Sequence, residues 1–365
     1  MARVVMVCQP TEGGAAVHVA SLVAALTRQG HEIEVHCPAT HSLAATVTQR
    51  GARWRRLDLR REPDLMDLRT AWALRRDFST ADVVILHSSK AGAVGRLALL
   101  MMRRRSRPRS IFTPHGWSWL VGGWLRPLYV AVEILLAHVT DLIIAVSDAD
   151  GVEGQRRLGH RANIVVIPNG VDLARFHGER PSYPEGSRQT VLVVGRLTHA
   201  KGQDLAIRAL ATLQRSDIRL ILLGDGPDRT TLEQLAQDLD VVSRVEFLGS
   251  GDPRPLYLAA SVVLVPSRWD ACSLVVLEAL ASGAAVVSTD RVGAALSLRD
   301  HVQVVASLSP GAIGAAVVTL LDDPARRASL RERARSAITF QWTEAGSMAA
   351  HCRLVGQLVS QPGTQ

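Results

Sequence analysis

The segment with the most chemical promise is Gly195-Arg196-Leu197-Thr198-His199-Ala200-Lys201-Gly202. Lys201 is one of only two lysines, the other being Lys90, among 42 basic residues that are otherwise arginine. A lysine kept against that bias points to a use for a compact ammonium. The segment follows Val191-Leu192-Val193-Val194, an apolar run that reads as a buried parallel strand, and precedes residues 204–210, which have helical spacing. An arginine and a lysine at a strand-to-helix turn, beside the free N–H groups of a helix start, make an anion site suited to a diphosphate.

A second group lies in Trp269-Asp270-Ala271-Cys272-Ser273-Leu274-Val275-Val276-Leu277-Glu278. Glu278 falls in an otherwise apolar helical stretch, where a carboxylate is costly without a partner. Ribose hydroxyls suit it, because a carboxylate accepts from two neighbouring donors; a local cap or ion pair is the alternative. Asp270, in the preceding loop, is placed to hold a sugar hydroxyl. His115 follows Thr113-Pro114 at a strand end and precedes Gly116 and Trp117. It either satisfies a turn or serves an active site, where an imidazole could bond a sugar or steady positive charge. Lys90, near a helix start, reads equally as a solvated lysine or an acceptor-side cation.

These residues need elements to position them. Strands are predicted at 3–8, 33–37, 53–57, 82–87, 110–113, 141–147 and 164–167, with helices between them, for example 17–29 and 92–104. A turn at Pro168-Asn169-Gly170-Val171-Asp172 and a polar linker at 181–189 break the pattern. A second series has strands at 191–194, 218–223, 244–248, 262–265 and 285–288, with helices near 203–215, 228–240, 253–260 and 274–282. Two alternating series imply an α/β protein of two Rossmann-like, doubly wound parallel-sheet domains facing across a cleft, with ligands beyond the carboxyl ends of the strands. The expected division is 1–180 for the first domain, 181–343 for the second and 344–365 for a helix crossing back, with its tail.

Composition narrows the classes. The chain has 365 residues, too many for one average domain, and is 47% hydrophobic. Cys8, Cys37, Cys272 and Cys352 have no metal-type spacing and fit free thiols of a reducing cytoplasm. The apolar start is too short for a signal peptide, and no uncharged run is long enough to span a bilayer. Of the net charge of +8, residues 1–185 carry +7, from 24 basic and 17 acidic side chains. No aromatic-interleaved basic motif or helix-turn-helix spacing supports a nucleic acid partner. Trp117, Trp119, Trp124 and Tyr129 fall within thirteen residues, close to a basic run at 103–109. Core packing is one account of them. The other is docking to an anionic membrane surface, on the inner face of the membrane.

Together the motifs resemble the GT-B glycosyltransferases of retaining family 4, the group 1 glycosyl transferases. That family pairs G-R-L-x-x-x-K-G with Glu-x7-Glu; here the first is complete and the second reads Asp270-x7-Glu278. Glu12-Gly13-Gly14, His87-Ser88-Ser89-Lys90-Ala91-Gly92, Thr113-Pro114-His115-Gly116-Trp117, Ala145-Val146-Ser147, Pro168-Asn169-Gly170-Val171-Asp172 and Gly224-Asp225-Gly226-Pro227 extend the likeness from Met1 to about residue 350.

The resemblance implies a hexosyltransferase that moves a sugar, with retention, from a UDP- or GDP-linked donor to a glycan or lipid-linked acceptor of the cell envelope. Arg196 and Lys201 would neutralise the diphosphate, Glu278 would bind the ribose, and Asp270 would contact donor hydroxyls. His115 would stand by the reacting sugar. Gly13, Gly14, Gly195, Gly249 and Leu274 would line the donor site, with base recognition around Gly249 to Gly251. Lys90 and Trp117 would lie on the acceptor side. No cofactor or metal is implied, since the two cations supply the positive charge. The departure is Asp270, whose carboxylate falls about 1.5 Å short of a glutamate's. It motivates one rival reading, a non-catalytic nucleotide-sugar-binding protein; an epimerase or hydrolase of the same fold is the other.

Overall fold

The computed structural model describes all residues except 10–12, 40–42, 61–62, 121–122, 179–188 and 361–365. The linker predicted at 181–189 therefore lies almost wholly outside the described residues, as do Glu12 and the tail. The chain forms two compact units, Met1–Asn169 with Glu344–Gln365 and Gly170–Thr343. Gly170 precedes the expected boundary at 180/181.

The first unit runs β1 (Arg3–Cys8), α1 (Gly13–Arg28), β2 (Glu32–Cys37), α2 (Leu43–Gln49), β3 (Arg53–Arg56), α3 (Met66–Phe78), β4 (Val83–His87), α4 (Ser89–Leu100), β5 (Arg109–Thr113), α5 (Arg126–Ala137), β6 (Leu142–Ala145), α6 (Asp148–Leu158) and β7 (Ile164–Val166). All seven strands are parallel, in the order β3-β2-β1-β4-β5-β6-β7. β4 is buried at every position, as an apolar run covered on both faces must be. Period-two alternation divides β1 between two cores. Val4, Met6 and Cys8 pack toward α1, while Val5 and Val7 pack toward α3 and α4.

The second unit runs α7 (Leu173–Phe176), β8 (Gln189–Val194), α8 (Gln203–Thr212), β9 (Ile218–Leu223), α9 (Arg229–Asp238), β10 (Val245–Gly249), α10 (Arg254–Ala259), β11 (Val262–Val265), α11 (Leu274–Ala281), β12 (Val286–Thr289), α12 (Gly293–Ser297), β13 (Gln303–Val305), α13 (Pro310–Asp322) and α14 (Pro324–Ala334). Its six parallel strands take the order β10-β9-β8-β11-β12-β13. α7 belongs here because it packs on α11. α15 (Glu344–Ser360) returns to the first unit, where Met348, Cys352 and Val355 join the core beside α1.

Each strand order reverses once, at β1/β4 in the first unit and at β8/β11 in the second. At such a switch point the flanking loops diverge and leave a crevice at the carboxyl ends of the strands. The loops after β1, β4, β8 and β11 carry the motifs singled out above. α1 begins at Gly13 instead of residue 17 and α4 runs from Ser89 to Leu100 instead of 92–104, while the three-residue β13 adds a strand that the apolar runs did not announce.

Candidate active site

In the second unit, the loop from Gly195 to Gly202 joins β8 to α8 and is fixed from three sides. The buried Gln203 side chain donates through Nε2 to the Arg196 carbonyl at 3.0 Å. Arg268, from the loop after β11, forms a bidentate pair with Asp204 at 2.7 and 2.6 Å, and its backbone N–H donates to the Ala200 carbonyl. Gly202 adopts φ +69°, and a Cβ there would stand 2.1 Å from the Pro266 carbonyl oxygen. Only glycine lets the two loops come this close. The N-cap of α8 is Gly202, which has no side chain to cap it; the Leu205 N–H turns back to the Gly202 carbonyl at 2.9 Å, and the helix start faces the loop with its positive dipole end. Arg196 is an exposed residue of the same loop.

Lys201 Nζ meets Asp270 Oδ2 at 2.5 Å. Asp270 is itself held by its backbone, which donates to the Arg291 carbonyl and accepts from the Gly293 N–H. The shorter side chain at this position therefore has a definite partner: it occupies the ammonium that the resemblance assigns to the diphosphate. Leu274 opens α11, and one turn later Glu278 accepts from the Tyr257 hydroxyl at 2.8 Å. Burial raises the Glu278 carboxyl to about 7, against the Tyr257 bond and the nearby Arg175, which favour its ionised form. Gly249 ends β10 at φ +71°, and its carbonyl accepts from the Gly224 N–H at 2.8 Å. Gly195, Arg196, Lys201, Asp270, Leu274 and Glu278 thus all lie at the β8/β11 switch-point loops or on the helices those loops lead into. Tyr257 has no motif of its own; only an apolar helix reaching a buried glutamate could have signalled it.

In the first unit, Gly13 (φ +71°) and Gly14 lie in the opening turn of α1. His115 follows β5 at φ +52°, a left-handed conformation that is uncommon for histidine. Its Nε2 lies 3.2 Å from His87 Nδ1, and burial lowers its pKa to about 3, so the ring is neutral. Lys90 is not a free cation: its Nζ lies 2.5 Å from Asp67 Oδ2. Trp117 is corrected from an acceptor-side residue to a core one. It is 2% exposed, stacks on Trp119 at 4.5 Å, and donates through Nε1 to the Asp150 carbonyl. The chain contains two Asp-x-Asp sequences: Asp238-Leu239-Asp240 lies at the end of α9, and Asp148-Ala149-Asp150 opens α6. There the Asp150 carboxyl is buried, raised to about 7, and receives the Val146 N–H, so it serves the helix start.

The model of the family described as Glycosyl transferases group 1 matches residues 179–337, and that described as Glycosyltransferase Family 4 matches residues 12–175. The chain is 31% identical over 274 residues to a GDP-mannose-dependent alpha-(1-6)-phosphatidylinositol monomannoside mannosyltransferase of Mycobacterium tuberculosis, covering 69% of this chain and 71% of that one. It is 29% identical to a D-inositol 3-phosphate glycosyltransferase of Corynebacterium glutamicum, over 90% of this chain and 88% of the relative. Among solved structures it resembles HepE of Anabaena in complex with UDP and glucose, with a TM-score of 0.82 at 19% identity, over 98% of this chain and 100% of that one. A sucrose-phosphate synthase from Thermosynechococcus elongatus gives the same score at 20% identity, over 98% and 99% of the two chains.

Proposed function

The chain belongs to the group 1 glycosyl transferases, and we propose that this GT-B enzyme moves a hexose, with retention, from a GDP- or UDP-linked donor to an inositol-containing or other lipid-linked acceptor. The observation that carries the reading is that Arg196, Lys201, Glu278 and the glycine-led start of α8 all belong to one switch point of the second unit. The relatives' use of GDP-mannose and of phosphatidylinositol mannoside or inositol phosphate acceptors supports the substrate classes.

The proposed mechanism needs positive charge where the donor breaks. Departure of the nucleoside diphosphate builds negative charge on its phosphates, and fixed cations aimed there lower the barrier. Lys201 would exchange Asp270 for the diphosphate, with Arg196 beside it. Asp270, freed from the ammonium, would accept from donor-sugar hydroxyls, and Glu278 would accept from the ribose hydroxyls. No metal or other cofactor enters this scheme, since the two cations supply the charge. The neutral ring of His115 would act through hydrogen bonding to the sugar. The acceptor hydroxyl attacks the anomeric carbon on the face the diphosphate leaves; the C–O bond to phosphate breaks, and the departing phosphate takes the acceptor's proton.

A lipid acceptor agrees with one surface of the first unit. α5 exposes Leu128, Val132 and Leu135 at helical spacing, and Trp124 just before it is 88% exposed. Arg103, Arg104 and Arg105, which follow α4, are exposed as well. An exposed apolar helix face and exposed arginines on the same unit suit the boundary of an anionic bilayer. Among the described residues no helix is long and apolar enough to cross a membrane.

The test is a transfer assay of GDP-mannose and UDP-glucose against phosphatidylinositol mannoside and inositol phosphate, with the product's anomeric configuration read by NMR. The reading expects acceptor-dependent consumption of one donor and an α-linked product. Acceptor-independent release of free sugar would instead mark a hydrolase, and an inverted product would overturn retention.

A further inference from the structure

Four imidazoles from four distant parts of the chain meet in the first unit. His18 lies on α1, His87 ends β4, His115 follows β5, and His351 lies on α15. Ring centroids are 5.6 Å apart for His18 and His87, 5.2 Å for His18 and His115, and 5.4 Å for His87 and His115. His351 stands 4.7 Å from His18. One nitrogen from each of His18, His87 and His115 lies within 4.8 Å of the other two. His18, His87 and His351 are 5%, 0% and 2% exposed, and Nε2 of each has no hydrogen-bond partner among the described residues.

Packing alone gives no reason for this arrangement. A buried polar atom without a partner is destabilising, and interiors rarely keep several together. His351 Nδ1 lies 2.9 Å from the Ser347 carbonyl, which only accepts, so Nδ1 carries the proton. The lone pair of His351 is therefore on the unpartnered Nε2, and a carbonyl holds the opposite ring nitrogen, as is usual for metal-binding histidines. The spacing agrees. Three imidazoles on one tetrahedral ion, with metal–nitrogen bonds of about 2.0–2.1 Å, would hold their ring centres roughly 5.2 Å apart.

We propose that His18, His87 and His115 form a site for a divalent transition-metal cation of the Zn2+ class, with His351 as the fourth imidazole in reach. A donor set of neutral nitrogen suits zinc, cobalt, nickel or copper and disfavours Mg2+ or Ca2+, which require oxygen. Such an ion would claim a lone pair of His115, so it would be an occupant opposed to sugar transfer and not a cofactor of it. The site uses no residue of the diphosphate loop, and its test is therefore independent of donor binding.

Tag-free, chelator-treated protein is titrated with ZnCl2 by calorimetry, and the zinc-loaded chain is read by X-ray absorption. The expected result is one ion per chain, at micromolar affinity or tighter, with at least three imidazole nitrogens at about 2.0 Å. His18→Gln, checked for native circular dichroism, is expected to weaken binding at least tenfold. Absence of stoichiometric binding, fewer than three imidazoles on the bound ion, or unchanged affinity in folded His18→Gln would overturn the proposal. X-ray absorption interrogates the unaltered chain, so a variant that fails to fold leaves the test intact.

Discussion

Glu278 is a carboxylate whose charge is set by its surroundings. In the free chain its pKa is about 7, against 4.5 for an ordinary glutamate. The folded state therefore holds a proton that the unfolded state has lost. That contribution to stability is complete below pH 4.5 and is lost as pH rises through about 7. If Glu278 holds the ribose as proposed, nucleotide binding follows the opposite course, because ribose hydroxyls need the ionised form. Calorimetric affinity for the preferred nucleoside diphosphate should fall below pH 7, by up to about tenfold per unit. Tyr257→Phe removes the hydroxyl that favours ionisation and should move this midpoint to higher pH; an unmoved midpoint would detach Tyr257 from nucleotide binding. Asp270→Ala should release Lys201 in the free enzyme, tightening nucleoside diphosphate binding several-fold while slowing transfer. Loss of both together would make Asp270 a structural prop. Lys201, Arg196 and Glu278 were legible because each breaks its local pattern. The pairing of Lys201 with Asp270 was not, because the two lie 69 residues apart and meet only through the sheet order. The histidine cluster was hidden for the same reason.

At the scale of elements, close approach of the loops after β8 and β11 shapes the proposed diphosphate site. Gly202→Ala would set a Cβ against the Pro266 carbonyl oxygen and force a left-handed alanine. It should lower the melting temperature and weaken nucleotide binding together; stability lost with affinity kept would mean the loop does not shape the anion site. α5 is tied down by a buried ion pair, Arg96 Nη2 to Glu133 Oε2 at 2.8 Å, with the Arg96 guanidinium 3.7 Å from the centre of the Phe112 ring. Glu133→Ala would leave a wholly buried guanidinium unpaired, which costs about 3–5 kcal/mol. Denaturant unfolding measures it, and a cost near zero would mean that packing alone anchors the helix. The strands were largely legible, since buried parallel strands are continuous apolar runs. The tryptophan run was not, because composition cannot divide a stretch in which Trp117 and Trp119 are buried and Trp124 is exposed.

Across the whole molecule, two parallel sheets present diverging loops at their switch points, and this explains why motifs scattered along the sequence recur at strand ends. The same folding leaves an apolar face of α5 in solvent, and the arginine-rich turn after α4 is exposed on the same unit. Vesicles of phosphatidylglycerol and phosphatidylcholine should sediment the wild-type chain, less so at high salt. Trp124→Ala with Leu128→Ala and Leu135→Ala should remain folded and stay in the supernatant. Equal sedimentation of the two proteins would place membrane contact elsewhere or dismiss it. The alternation of strands and helices made both sheets readable from sequence. The unit boundary at Gly170 was less so, because α7 joins the second unit by packing on α11 and not through a signal in composition.

The most direct measurement is calorimetric titration of wild-type protein and of Lys201→Ala with UDP, GDP and ADP. The account predicts that one nucleoside diphosphate binds the wild-type chain with one-to-one stoichiometry and that Lys201→Ala weakens it by tenfold or more. Equal affinity in wild type and Lys201→Ala, or no binding of any of the three by well-folded protein, would contradict the assignment of the β8/α8 loop as the diphosphate site.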